Sequence, residues 1–185
     1  MENMGERSTM SSTGNGEYYD TQLAAAQEYQ DWLCREFAKR LYFVLSPTCS
    51  RKYQYEAGET WQGAEIKFDK KFHETGNLFI EVAEKTNPRN ADYVPSGICR
   101  RDNTWLYVIG DYRTVFVFDK KWLQRVRRSG KVKVFDIDRG TSRGFLLTDK
   151  WQSHAMLRLN WDNDPLHASI GRAAGPSAQG ENSSE

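Results

Sequence analysis

Residues 63 to 85, GAEIKFDKKFHETGNLFIEVAEK, decide the fold. Two stretches within them, Ala64-Glu65-Ile66-Lys67-Phe68-Asp69 and Leu78-Phe79-Ile80-Glu81-Val82-Ala83, alternate apolar and polar residues at a period of two. That period marks half-buried strands, because successive side chains of an extended chain point to opposite faces. Thr75-Gly76-Asn77 between them is turn-forming. Ile66, Phe68, Ile80 and Val82 fall on the covered faces. Glu65, Lys67, Asp69, Glu81 and Lys85 fall on the others, interrupted by Phe79. The spacing predicts adjacent central strands in an antiparallel pair, with Asp69 near Phe79 and Lys67 near Glu81.

Upstream, Ala25, Tyr29, Leu33, Phe37, Leu41 and Val44 follow helical spacing, which predicts a helix from near Asp20 to just before Ser46-Pro47. Downstream, residues 104 to 109 and 114 to 118 read as a hairpin turning at Gly110-Asp111-Tyr112-Arg113. Asp119 can cap a helix over 120 to 129, stopped by Gly130. Residues 131 to 137 and 144 to 147 read as strands, and 149 to 159 as a closing helix. This order predicts an α/β fold, a central mixed sheet flanked by helices. Residues 1 to 16 and 165 to 185 lack a core-forming pattern and read as tails around one domain spanning 17 to 164.

Composition narrows the function. The 185 residues carry 26 Lys+Arg against 25 Asp+Glu, a net charge of +1, so there is no chain-wide basic signature for nucleic acid. Aromatic residues make up 13% of the chain, enough to fill a core. Apolar runs such as 41 to 45 and 105 to 110 are far too short to span a bilayer, which predicts no membrane partner. The N-terminal stretch is polar and acidic rather than secretory. Cys34, Cys49 and Cys99 are widely spaced and odd in number, forming neither a disulfide framework nor a CxxC metal site. The expected location is intracellular, in the cytoplasm.

The paired strands carry the densest polar constellation. Two carboxylates brought together there would supply the hard oxygen ligands that Mg²⁺ prefers, and a neighbouring lysine would position the attacking water. The plain alternative is a solvated strand face held by weak cross-strand pairs. Phe79 in the middle of that face speaks against simple solvation.

GAEIKFD, then TGNLFIEVAEK, then Pro95-Ser96-Gly97-Ile98 and TWLYVIGD (residues 104 to 111) together resemble the PD-(D/E)XK nuclease superfamily. The likeness is closest to small phage- and plasmid-borne members with an E-x-K-x-D strand and a TGN-x-x-IE strand. It covers Glu36 to Leu123. It implies a restriction-endonuclease-like core (helix, three to four strands, helix, strands) and a divalent-metal-dependent nuclease, an endonuclease hydrolysing phosphodiester bonds of DNA in preference to RNA. Asp69 and Glu81 would bind Mg²⁺ (or Mn²⁺), joined by Glu36 from the first helix. The usual lysine position, two residues after the second acid, is Ala83, so the ammonium group would come from Lys67 or Lys85. A second registration, with Glu65-x-Lys67 as the E-x-K pair and Glu56 or Glu59 as first acid, ranks lower because it leaves Glu81 without a role. The whole reading requires the two strands to be neighbours in one sheet. The runner-up function is a non-catalytic nucleic-acid- or protein-binding module on the same fold.

Residues 120 to 133, KKWLQRVRRSGKVK, hold seven Lys/Arg and no acid. Trp122, Leu123 and Val126 can pack inward. Lys120, Lys121, Arg125, Arg127, Arg128 and Lys131 are candidates for phosphate-backbone contacts, and Arg100 and Arg101 can extend the surface. An ordinary solvated helix is the plain alternative. His73 reads as a surface histidine and Cys34 as a packed thiol. Nothing in the pattern decides oligomeric state, and a homodimer stays open.

Overall fold

The computed structural model describes residues 13–48, 50–137 and 141–161; residues 1–12 of the expected N-terminal tail and the whole expected C-terminal tail, 165–185, lie outside them. The chain divides into two compact units, Met1–Ser46 and Pro47–Glu185.

The first unit holds α1, Thr13–Leu41. Tyr29, Leu33 and Phe37, at four-residue intervals, are buried. Lys39 and Arg40 in the last turn complement the negative end of the helix dipole. The helix stops earlier than its apolar spacing suggests: Tyr42 adopts a left-handed φ of 51°, and the Phe43 N–H donates to the Phe37 carbonyl at 3.2 Å. Val44 is accordingly exposed.

The second unit runs α2 (Arg51–Ala57), β1 (Ala64–Phe68), α3 (Phe72–Thr75), β2 (Leu78–Glu84), β3 (Val94–Pro95), a 3₁₀ turn (Gly97–Cys99), β4 (Leu106–Gly110), β5 (Thr114–Asp119), α4 (Lys120–Arg128), β6 (Phe135–Ile137), β7 (Ser142–Leu147), α5 (Asp149–Gln152) and β8 (Leu157–Asn160). Its strands form two four-stranded sheets, ordered β1-β4-β5-β8 and β3-β2-β7-β6. The first is mixed, with β1 parallel to β4 and the other pairs antiparallel. Every pair in the second is antiparallel. The mixed α/β class is as expected.

The pairing is not. β1 and β2 are not neighbours: β1 lies beside β4, with Lys67 opposite Ile109, and β2 lies between β3 and β7, with Glu81 opposite Gly144. One central sheet is thus replaced by two. Leu78, Ile80, Val82, Phe145 and Leu147 of one sheet share a single core with Tyr107, Ile109, Phe116 and Phe118 of the other. β4 and β5 are buried along nearly their whole length, so β1 gains more from covering an edge of that apolar pair than from a hairpin with β2. The 70 to 77 connection, which a hairpin would use as its turn, instead folds as α3 and buries Phe72 edge-on to Phe116.

The end of the unit also differs. α5 lasts only to Gln152, and residues 157 to 160 form a strand against β5 rather than continuing a helix. Leu157-Arg158-Leu159-Asn160 alternates at period two, and pairing satisfies the backbone groups of β5 on that side. α4 forms as its sequence predicts: the Asp119 carboxylate accepts from the Trp122 N–H, and Leu123 and Val126 enter the core. No helix among the described residues is long and apolar enough to cross a membrane.

Candidate nucleic-acid interface

β1 carries two charged residues on its inner face, and both find partners in loops. Glu65 is fully buried; Lys67 Nζ stands 2.9 Å from its Oε1 and 3.5 Å from Oε1 of Glu59. Arg100, at the exit of the 3₁₀ turn, brings its guanidinium to 3.0 Å from Glu59 and 3.6 Å from Glu65. The face expected to gather carboxylates for a metal, with a solvated surface as the plain alternative, is instead an ion cluster in which lysine and arginine occupy the carboxylates.

Burial pushes the Glu65 carboxyl above its ordinary range, and the nearby Glu59 charge adds to that. Burial also acts against ionised Glu59, but Lys67 and Arg100 outweigh it and hold Glu59 below the usual range. For Lys67 the desolvation cost is outweighed by Glu59, Glu65 and Glu81, so its ammonium form is strongly favoured. The buried Tyr107 hydroxyl beside these charges has no hydrogen-bond partner among the described residues, and burial raises it well above the ordinary phenol range.

Glu81 is engaged differently. The Ser96 hydroxyl donates to its Oε1, and the Ser142 hydroxyl to its Oε2 at 2.7 Å. The register of β2 against β7 shifts between Glu81 and Ala83, as at a β-bulge. Gly97 makes this contact possible. Its φ is 49°, and a Cβ there would stand 2.3 Å from the Glu81 carbonyl oxygen.

Asp69 closes a connection. Its Oδ2 accepts from the Phe79 N–H at 2.8 Å and its Oδ1 from the Lys71 N–H at 3.1 Å. Asp69 is near Phe79, as the sequence suggests, but through a side-chain clasp instead of strand pairing. Burial raises its carboxyl, with those backbone bonds pulling the other way. Lys85 turns its ammonium over the Tyr93 ring, 4.4 Å from the centroid. Glu36 belongs to the first unit, where Arg40 Nε meets its Oε2 at 2.7 Å and Lys39 its Oε1 at 3.9 Å.

Of the residues expected to act together, Lys67 and Glu81 feel each other's charge, while Asp69 and Lys85 each have separate local partners. Among the described residues, no group of three His, Cys, Asp or Glu is arranged to hold a metal ion.

Beside the cluster opens a pocket of about 550 Å³. Its wall includes Arg100, Arg101, Lys120, Lys121, Arg127 and Arg128, against the single acid Asp102. Asp102 is neutralised from within: Lys120 Nζ lies 2.8 Å from Oδ1 and Arg100 Nε 2.8 Å from Oδ2. Those partners outweigh burial and keep the Asp102 carboxyl below its usual range. Lys120, expected as a phosphate contact, is instead only 3% exposed and serves this pair. Arg101, Lys121, Arg127 and Arg128 are exposed and have no carboxylate partner among the described residues. Arg127 does approach the Cys99 sulfur at 2.9 Å, and Arg128 Nε the Gln124 carbonyl at 3.3 Å. Arg125 and Lys131 are exposed but do not line the pocket.

The basic run on α4 was legible in the sequence. The role of Asp102 in drawing Lys120 and Arg100 together was not, since the three residues meet only through the loop. Comparison of the chain with protein-family models, with curated proteins and with solved structures finds no match.

Proposed function

We propose that the chain binds nucleic acid through its phosphate backbone, at the pocket between α4 and the 99 to 105 loop. One observation carries this reading: Arg101, Lys121, Arg127 and Arg128 line a concave wall exposed and without carboxylate partners among the described residues, while its one acid is already paired to Lys120 and Arg100, in a chain whose net charge is only +1. Segregation of that kind concentrates field in a cleft and favours a polyanion, whose counterions are released on binding. The test is fluorescence anisotropy with labelled DNA and RNA, comparing wild type with Lys121→Glu/Arg128→Glu. Binding should weaken at least tenfold, and the dependence of affinity on salt should become shallower. Equal affinity and an unchanged salt slope would overturn the reading.

Metal-dependent hydrolysis is a second reading, although the condition set for it, the two strands as neighbours in one sheet, is not met. The observation in its favour is the meeting of Glu59, Glu65 and Lys67, which is the lower-ranked E-x-K registration, next to the basic pocket and joined to it by Arg100. Two observations rank it second. Asp69 directly follows β1 and Glu81 lies in β2, strands of different sheets. The carboxylates also do not fit a Mg²⁺ or Mn²⁺ site as arranged: those of Glu59 and Glu65 face Lys67 and Arg100, Asp69 binds backbone N–H groups, and Glu81 binds two serines. Magnesium needs carboxylate oxygens free to coordinate.

A further inference from the structure

The wall of the basic pocket ends in aromatic side chains left in solvent. Trp105 lines the pocket and is 50% exposed. Its ring is fixed rather than loose: the indole N–H donates to the Gln62 carbonyl at 2.9 Å, and the backbone of Gly63 packs so closely that a Cβ there would stand 2.7 Å from the ring. Trp61, next to Gln62 in the chain, is 54% exposed and lies 5.5 Å from the Tyr53 ring, centroid to centroid. Exposed aromatic side chains therefore stand at the cationic wall, Trp105, and on the segment that Trp105 holds through the Gln62 carbonyl, where Trp61 meets Tyr53. Core packing does not account for it, since the core of this unit is closed without these three residues.

We infer that this surface is a stacking platform and that the ligand of the pocket is single-stranded nucleic acid, its phosphates held by Lys121, Arg127 and Arg128 and its bases laid on Trp105 and Trp61. This rests on the phosphate-binding reading above. The physical reason is accessibility: a duplex hides the faces of its bases in its own stack, whereas a single strand offers them to any flat aromatic beside a cationic track. Every base has such a face, so the platform tolerates any sequence. A purely electrostatic duplex-binding surface would have no use for two half-exposed tryptophans at its edge.

The experiment measures anisotropy of labelled oligo-dT and of the matching dA·dT duplex against the full chain, wild type, Trp61→Ala, Trp105→Leu and Arg128→Glu. Circular dichroism melts check that each variant is folded; Trp61→Ala carries the test if Trp105→Leu loosens the loop. The single strand should bind more tightly than the duplex. Trp61→Ala should weaken single-strand binding about tenfold and leave duplex binding unchanged. If the duplex binds as tightly as the single strand and Trp61→Ala changes neither, while Arg128→Glu weakens both, the stacking inference is overturned and phosphate binding stands. If Arg128→Glu also leaves both affinities unchanged, both readings fall.

Discussion

Lys120 Nζ lies 2.8 Å from Asp102 Oδ1, and both side chains are withdrawn from solvent, 4% and 0% exposed. The pair joins the first turn of α4 to the loop that carries Arg100 and Arg101, and so sets the spacing of the pocket's two walls. Its members are worth little apart. A buried ion left without its partner has neither water nor counter-charge, which makes breaking such a pair far costlier than the pair's net contribution.

Asp102→Asn should therefore destabilise the chain by about 3 kcal/mol in urea denaturation. The double variant Asp102→Asn/Lys120→Met should recover part of that loss, because it removes a buried ammonium group left with only the Arg100 carbonyl at 3.2 Å and Glu65 Oε2 at 4.0 Å. A single variant within ~0.5 kcal/mol of wild type would show that the pair does not anchor the loop.

Glu59 and Glu65 should respond to pH in opposite senses. The folded-state carboxyl of Glu65 is raised from about 4.5, so its stabilising contribution is present below that pH and is lost as pH rises through the folded value. Glu65→Gln should match wild type in acid and become relatively more stable towards pH 7. The Glu59 carboxyl is lowered from about 4.5; its contribution is present above that pH and is lost as pH falls through the folded value. Glu59→Gln should cost about 1–3 kcal/mol at pH 7, a penalty that fades on acidification. Melting temperatures of the three proteins across pH 3 to 8 check both signs.

Gly97→Ala should cost at least about 2 kcal/mol, because it combines a left-handed backbone with a Cβ driven into the Glu81 carbonyl. Ser96→Ala should be milder, about 1 kcal/mol, since Ser142 still donates to Glu81. Urea midpoints of the two variants give the order directly; the reverse order would mean that the turn is not in close contact with β2.

The hydrolytic reading is checked on the lysines. In assays with Mg²⁺ or Mn²⁺, any cleavage of DNA or RNA should fall by roughly 10²-fold in Lys67→Met and stay near wild type in Lys85→Met. Lys67 stands among the carboxylates and Lys85 on Tyr93. Absence of cleavage by wild type on every form of nucleic acid would leave a binding protein.

Some of this could be read along the chain. The alternation in residues 64 to 69 and 78 to 83 marked both strands, Asp119 and Gly130 bracketed α4, the hairpin at 110 to 113 declared itself, and the basic run fell on α4. Each is a local property: the burial pattern of a segment and the hydrogen bonds of its ends depend on residues within a turn or two. Choice of partner is not local. β1 pairs with β4 from Leu106 onward and β2 with β7 from Ser142 onward, and an alternating strand offers the same ladder of N–H and C=O groups to any suitable edge. Only the shared core, filled from both sheets at once, selects among those edges. With that selection the tertiary structure decided what the charges do. It placed Glu65 and Lys67 in an ion cluster with Glu59 and Arg100, turned Lys120 inward onto Asp102, and left Trp61 and Trp105 outside, because burying a charge requires a partner in space and sequence neighbours alone do not supply it.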